Sequence, residues 1–409
     1  MKGDFYWAWS KDPELRKRAG SGGAVTSLLK FLLASKKVDA VFAVKPLFDN
    51  YYHGTPIVIT KPEEVAELAG IFYCVSENLP KALKNYLDGA MNTKLAVVGR
   101  GCDLRGIIEL GKRGKINLQN LVLLGLNCTG TLPAASAKEM FQKEFGVNPE
   151  DVVFPHIDDG KLTIRLRDGK ELEKDLEALE KNGYGRRDNC RRCETPIPRM
   201  GDLAFGRWGG EEKQATFIEV CSESGDQILK AAIKESYLEV EKPSQEAIAL
   251  RENKGKMAIE AGRKKQEQDF AFYRNMGLEQ RFKYWREQFN QCIKCMGCRD
   301  ACPICYCDEC VLNPERGVIQ SGAVPPGWTF SIIRVLHVAD SCINCGQCQD
   351  VCPSKIPLSR LILMLNREIA EVFGYEPGLN PEEKPPWSSF SEKELRLEKI
   401  ELSQTDLSK

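Results

Sequence analysis

The chain has 409 residues, 42% of them apolar, and its 58 Lys and Arg are matched by 58 Asp and Glu. At roughly 150 residues per domain this is enough for two or three domains with real cores, which excludes a wholly disordered chain. The charge balance gives no global electrostatic case for nucleic acid or an anionic membrane as partner. No apolar run approaches the ~18 residues of a membrane span, and the N-terminus has no apolar core of a signal peptide. A soluble, cytoplasmic protein is expected.

Residues 1–240 read as α/β. The turn Gly20-Ser21-Gly22-Gly23 opens a helical pattern (AVTSLLKFLLASKK), and Val38 to Val44 reads as a strand. KLAVVG (94–99), a helix from about Leu104 to Gly114 and the apolar NLVLLGLN (120–127) predict a right-handed crossover between parallel strands. A helix is expected over 134–146. Residues 151–180 alternate around an Asp168-Gly169 hairpin turn, and short strands are expected over 201–220. Residues 241–290 form a charged helical linker with late aromatics: Phe270, Phe272, Tyr273, Phe282, Tyr284, Trp285 and Phe289. These suit either a docking helix or a connecting helix that covers the next domain, and the connecting role is the expectation. Residues 291–370 are the cysteine-rich domain. Residues 371–409, with several prolines, read as an extended tail.

The informative residue is cysteine, 17 in all and clustered. In a cytosolic chain such clusters point to metal or redox chemistry. Cys292, Cys295, Cys298 and Cys302-Pro303 have the spacing Cys-x2-Cys-x2-Cys-x3-Cys-Pro, and Cys342, Cys345, Cys348 and Cys352-Pro353 repeat it. This is the run of bacterial two-cluster ferredoxins, in which the fourth thiolate serves the other cluster. One [4Fe–4S] set is therefore Cys292, Cys295, Cys298 and Cys352. The other is Cys342, Cys345, Cys348 and Cys302. Paired zinc sites would favour separated Cys-x2-Cys pairs and fit this spacing poorly. Cys305, Cys307 and Cys310 lie outside the ferredoxin pattern. They hold a further metal site with a ligand from elsewhere, or they are thiols beside the clusters.

Cys102 and Cys128 each follow the C-terminal end of a predicted parallel strand, where open α/β sheets bind ligands. Cys190 and Cys193 add a Cys-x2-Cys in a loop with Arg186, Arg187, Arg191 and Arg192. The four thiolates are enough for a third [4Fe–4S] cluster, whose negative charge the arginines would stabilise. Core cysteines and a redox disulfide or half a zinc site are the alternatives. Cys74 and Cys221 read as packing residues. Ser21-Gly22-Gly23 before a helix offers backbone N–H groups to an anion, although the G-x-G-x-x-G fingerprint is absent. His53, His156 and His337 each read as packing or surface.

The segments RAGSGGAVTSLL, VVGRGCDLRGI, LLGLNCTG and NCRRCETPIPRMGDLAFG resemble the beta-subunit family of coenzyme F420-reducing hydrogenases and formate dehydrogenases. CIKCMGCRDACPICYC and HVADSCINCGQCQDVCPSKIPLSRL are similar to the two-cluster extension of the formate dehydrogenase beta subunits of methanogenic archaea. The chain carries Arg100-Gly101-Cys102 where many members have Thr-Pro-Cys. The resemblance implies an α/β flavin-binding domain followed by a small α-rich, ferredoxin-like domain with two [4Fe–4S] clusters. It also implies FAD beside a third cluster, with coenzyme F420 as substrate. Ser21, Gly22, Gly23 and Thr26 would then hold the FAD phosphates. Gly99, Arg100, Gly101, Asp103 and Arg105 would lie by the flavin, with Asn127 and Thr129 flanking the cluster cysteine. Lys45, Arg16, Lys17 and Arg18 are candidates for the anionic F420 tail, or are solvated surface charges. The implied role is the beta subunit of a formate dehydrogenase complex, electrons passing between a catalytic alpha subunit and F420. The alternatives are delivery to heterodisulfide reductase subunits, an F420-reducing hydrogenase-type beta subunit, and a structural zinc protein.

Overall fold

The computed structural model describes residues 1–48, 50–70, 72–74, 78–322 and 328–388. The front of the chain runs β1 (Phe5–Ser10), α1 (Pro13–Arg18), α2 (Ala24–Ala34), β2 (Ala40–Leu47), β3 (Asn50–Ile59), α3 (Leu79–Tyr86), β4 (Leu95–Gly99), α4 (Gly101–Lys112), β5 (Leu121–Leu126) and α5 (Ala134–Lys143). A small meander follows, β6 (Val152–Asp158), β7 (Lys161–Leu166) and β8 (Glu171–Asp175), then α6 (Leu176–Lys181), β9 (Leu203–Gly206), β10 (Thr216–Val220), α7 (Glu223–Lys234) and β11 (Leu238–Glu241).

Eight strands form one mixed sheet in the order β11-β1-β10-β9-β5-β4-β2-β3. Its centre, β2, β4, β5 and β9, is parallel. The flanks are antiparallel. Strand side chains alternate between faces, and both faces are covered, which is why β4 (LAVVG) is apolar throughout. Val41, Ala43, Ala96 and Val98 pack on one side with Leu28, Phe31 and Leu32 of α2 and Leu229 of α7. Ala40, Phe42, Leu95 and Val97 pack on the other with Leu83 of α3 and Leu104, Ile107 and Ile108 of α4. The meander builds a separate core with α5 and α6, and buried Cys74 belongs to it. Cys221 is half-buried, its thiol donating to Glu219 O at 3.5 Å.

The linker is a 30-residue helix, α8 (Gln245–Arg274), followed by α9 (Leu278–Asn290). It lies along the front domain. Arg251, fully buried, reaches Glu219 at 3.2 Å. A Cβ on Gly262 would sit 2.3 Å from Cys193 O, so only glycine permits this approach. The late aromatics divide. Tyr273 stacks on Trp285 at 5.2 Å, and both join Phe289 in the core of the cysteine domain, whereas Phe272 and Phe282 are exposed.

The cysteine domain contains α10 (Gly297–Asp300), α11 (Trp328–Ala339), α12 (Gln347–Asp350) and α13 (Leu358–Phe373). Its two halves repeat. Lys294 and Met296 in the first loop, and Asn344 and Gly346 in the second, have positive φ at matching positions. Each loop ends in a one-turn helix, α10 or α12.

Residues 371–388 are not the free, extended tail that their prolines suggested. Tyr375 OH donates to Glu109 Oε1 at 2.6 Å, and Gly378 N donates to the same oxygen at 2.6 Å. Glu109 is buried and also pairs with Lys112 and Arg113, so the segment completes the coordination of a buried carboxylate. Residues 389–409 of the expected tail lie outside the described residues.

Candidate cofactor cleft and cysteine-lined cavities

A cleft of ≈ 1370 Å³, counting its open mouth, lies at the carboxyl ends of β4 and β5. Its walls include Ser21, Gly23, Thr26, Gly99, Arg100, Asp103, Asn127 and Thr129. Gly23 caps α2 in the left-handed conformation, φ 76°, with no side-chain cap. The first amides of an 11-residue helix therefore open toward the cleft, an arrangement suited to anions. Gly22 does not line it. Its N–H donates to Gln214 O, and a Cβ there would meet Ala8 O at 2.4 Å, so this glycine closes the turn against the sheet.

Asp103 is buried and accepts from Arg100 Nε at 2.7 Å and Arg100 Nη2 at 3.1 Å. It also accepts from the Arg100 amide, which caps α4, and from the Leu79 amide at the start of α3. Burial opposes ionisation of Asp103, but the Arg100 guanidinium outweighs it and holds the carboxyl below its ordinary value. Thr129 donates to Ile157 O at 2.9 Å. Asn127 differs from the rest: its Nδ2 and Oδ1 are both buried without a hydrogen-bond partner. A donor and an acceptor orphaned side by side on a cleft wall are what a polar ring edge would satisfy.

Four more predicted residues stand elsewhere. Lys45 pairs with Glu67 at 2.8 Å and is not in the cleft lining. Arg105 is buried, reaching Pro377 O at 2.6 Å and Glu376 at 2.7 Å, so it anchors the C-terminal segment. Gly101 faces the neighbouring cavity. Arg16 pairs with Glu239. The cleft takes its second guanidinium from Arg207, which meets His156 Nε2 at 3.0 Å. His156 also contacts Tyr73 OH at 3.3 Å. Burial, reinforced by Arg207, pushes its pKa down to about 4, so it stays neutral. Sequence reading missed this pair because β6 and the turn after β9 meet only in the folded chain.

Behind the cleft, a second cavity is lined by Cys102, Cys128, Cys190 and Cys193 together. It shares the wall of Arg100, Cys128, Thr129, Gly130 and Thr131 with the cleft. Arg186, Arg187 and Arg191 line it, while Arg192 turns away to pair with Asp269 at 2.7 Å. Burial and the nearby Asp103 push Cys102 up to about 12. Thiols gathered here would give up their protons only to bound positive charge.

Cys292, Cys295, Cys298 and Cys352 line a third cavity. Cys302, Cys342, Cys345 and Cys348 line a fourth. Asn344 borders both this fourth cavity and the front-domain one. Arg334 borders both ferredoxin-type cavities. It is 2% exposed and donates from Nε and Nη2 to Cys298 O at 3.3 and 3.1 Å. Among the described residues, no carboxylate is paired with it.

The fold and site define a class: an α/β domain with a mixed sheet, joined to a C-terminal domain of ferredoxin-type cysteine runs. The description "Coenzyme F420 hydrogenase/dehydrogenase, beta subunit" matches residues 5–84 with its N-terminal part and 92–246 with its C-terminal part. A 4Fe–4S binding domain matches 335–357. The F420-dependent formate dehydrogenase subunit beta of Methanocaldococcus jannaschii is 41% identical, over 90% of this chain and 95% of its own length. The corresponding subunit 1 beta of Methanococcus maripaludis is 40% identical, over 94% and 98%. The chain belongs to the coenzyme F420 hydrogenase/dehydrogenase beta-subunit family. A chain of the F420-reducing [NiFe] hydrogenase complex from Methanosarcina barkeri has the same fold over 69% of this chain and 98% of its own, with TM-score 0.57 and 19% identity. No helix among the described residues is long and apolar enough to cross a membrane.

Proposed function

We propose that the chain is the beta subunit of an F420-dependent formate dehydrogenase, carrying electrons between a catalytic alpha subunit and coenzyme F420. The observation that carries this reading is the row of adjoining cavities. The cleft shares a wall with the four-cysteine cavity, Asn344 joins that cavity to one ferredoxin-type set, and Arg334 joins the two sets. Three [4Fe–4S] clusters fit the thiolate sets, and FAD fits the cleft. FAD supplies the conversion between two-electron hydride chemistry and the single electrons that clusters carry.

The chain's own residues do the holding. The α2 amides and Thr26 receive the phosphates, and the Asn127 amide bonds the ring edge. Arg100, locked by Asp103, keeps a fixed positive charge on the wall between cleft and cluster cavity. Neutral His156, held by Arg207 and Tyr73, presents no titrating charge to the cleft near neutral pH. The ferredoxin-type domain separates this reading from the hydrogenase-type one, since the hydrogenase chain has the fold of only part of this chain while the formate dehydrogenase subunits align along nearly all of it.

The complex prepared without oxygen tests the reading. Release of about one FAD and no fewer than roughly twelve irons per chain, with formate-dependent F420 reduction, is the expected result. A colourless preparation without flavin overturns it. Asn127→Leu, which keeps side-chain size but not the amide, should weaken FAD binding about tenfold, read by flavin fluorescence after gel filtration. Unchanged retention of flavin would remove Asn127 from the site.

A further inference from the structure

Besides Cys74 and Cys221, three cysteines remain outside the four-thiolate sets, and they share a cavity of their own. Cys305, Cys307 and Cys310 line a space of ≈ 1100 Å³, open to solvent, together with Arg299, Arg334 and His337. The loop that carries them has no regular secondary structure, yet it is pinned along its length. Its ends are fixed by Cys305 N donating to Cys302 O at 3.3 Å and Asn313 N donating to Cys310 O at 3.0 Å. The residues between the cysteines are each held by a partner. Lys84 Nζ donates to Tyr306 O at 3.1 Å, and the Arg113 guanidinium lies 4.7 Å from the Tyr306 ring. Asp308 pairs with Lys115 at 2.5 Å, and Glu309 pairs with Arg316. These anchors fix the loop, whose three thiols line the cavity together with Tyr306, Cys307 reaching the surface.

The lining is also selective in charge. It includes the guanidinium of Arg334, that of Arg299, which also pairs with Asp300 at 2.8 Å, and an imidazole, and no carboxylate. Such a wall favours an anionic occupant, which thiolate-bound iron–sulfur clusters are. The space is larger than the ≈ 420 and ≈ 360 Å³ of the two ferredoxin-type cavities. It adjoins them through Arg334, and Cys305 is three residues from Cys302.

We propose that Cys305, Cys307 and Cys310 hold a fourth iron–sulfur cluster, with His337 as its fourth ligand. The proposal rests on the three-cluster reading above only for the neighbours of this site. The cluster exchanges single electrons with the one bound by Cys302, with no bond made or broken. Cys307 is exposed, so the relay reaches the protein surface here, at a point where electrons can enter or leave by way of a partner protein.

The test uses the complete complex prepared without oxygen. Wild type should carry roughly sixteen irons per chain, and the Cys307→Ser/Cys310→Ser double variant roughly twelve, with the EPR signals of the other clusters retained. About twelve irons in both proteins overturns the fourth cluster while leaving the three-cluster reading standing. Loss of about one zinc and no iron in the variant overturns it as well. Absence of iron from wild type overturns the underlying reading itself. If the double variant does not fold, the wild-type count still decides. His337→Ala should then alter the EPR spectrum of one cluster only, and an unaltered spectrum removes His337 as the ligand.

Discussion

Arg334 carries its charge into the interior with a carbonyl, not a carboxylate, as its acceptor. Burial of an unpaired guanidinium is costly unless the surroundings bring negative charge, and clusters on either side would bring it. Arg334→Met keeps the apolar stem and removes the charge. Reduction of both ferredoxin-type clusters then becomes harder, so an EPR-monitored redox titration should show both potentials shifted downward; unmoved potentials would refute the role. His156 is a second residue whose part depends on its surroundings. In the fold it is neutral down to about pH 4, whereas in the unfolded chain it protonates near 6.5. Between these values the unfolded chain binds the extra proton, so stability falls as pH drops through that window, by up to about 3 kcal/mol, and this contribution is constant below it. His156→Gln should flatten that part of the stability curve in thermal melts. Neither residue could be assigned from sequence. Arg334 lies on an amphipathic helix and His156 on an alternating strand, and in both cases the partners come from distant segments. The gathering of the ferredoxin-type cysteines around two cavities was legible because three members of each set fall within seven residues.

At the scale of elements, legibility followed locality. β4, α4 and β5 were readable because a parallel crossover buries two apolar runs on either side of one helix. β1 was not. Its sequence, FYWAWS, pairs with β10 more than 200 residues away, Phe5 facing Glu219, and with β11. No local period announces such a pairing. The linker shows both cases. Its charged composition predicted a helix, but not that Gly255 and Gly262, seven apart and so on one face of α8, admit Ile197 and Cys193 to close contact. Gly262→Val tests that contact. The added side chain must push α8 away from the loop bearing Cys190 and Cys193, at about 1 to 3 kcal/mol for overpacking. The thermal midpoint should fall, and the variant should lose roughly four irons from the front cavity while the ferredoxin-type signals persist. A variant with normal iron content would show that α8 does not shape that cavity.

For the molecule as a whole, the question is what holds the two halves in one register, because single-electron transfer depends on that spacing. The joint is built from residues 187–192 against 344–360. Asn189 Nδ2 donates to Asn344 O at 3.0 Å, and Asn344 Nδ2 returns the bond to Asn189 O at 3.2 Å. Arg187 pairs with Asp350, and Arg360 holds both oxygens of Asp188 at 3.1 Å. Since residues 190 and 193 lie in or beside the same segment, docking the second domain also places two thiolates of the front cavity. Burial opposes ionisation of Asp188, but the hydrogen bonds from Arg360 and the charge of Arg192 outweigh it and hold the carboxyl well below the usual carboxylate range. A depressed carboxyl contributes its stability above the unfolded value near 4, and that contribution is lost as pH falls below it. Acid should therefore loosen the joint: small-angle scattering below about pH 4 should show the molecule expanding before the sheet core melts. Asp188→Asn should cost about 3 kcal/mol at neutral pH and make the joint less sensitive to acid, with slower electron transfer between the proposed flavin and the ferredoxin-type clusters in flash photolysis. If the variant keeps the wild-type transfer rate, the register is set by the asparagine pair and the Arg187–Asp350 contact instead.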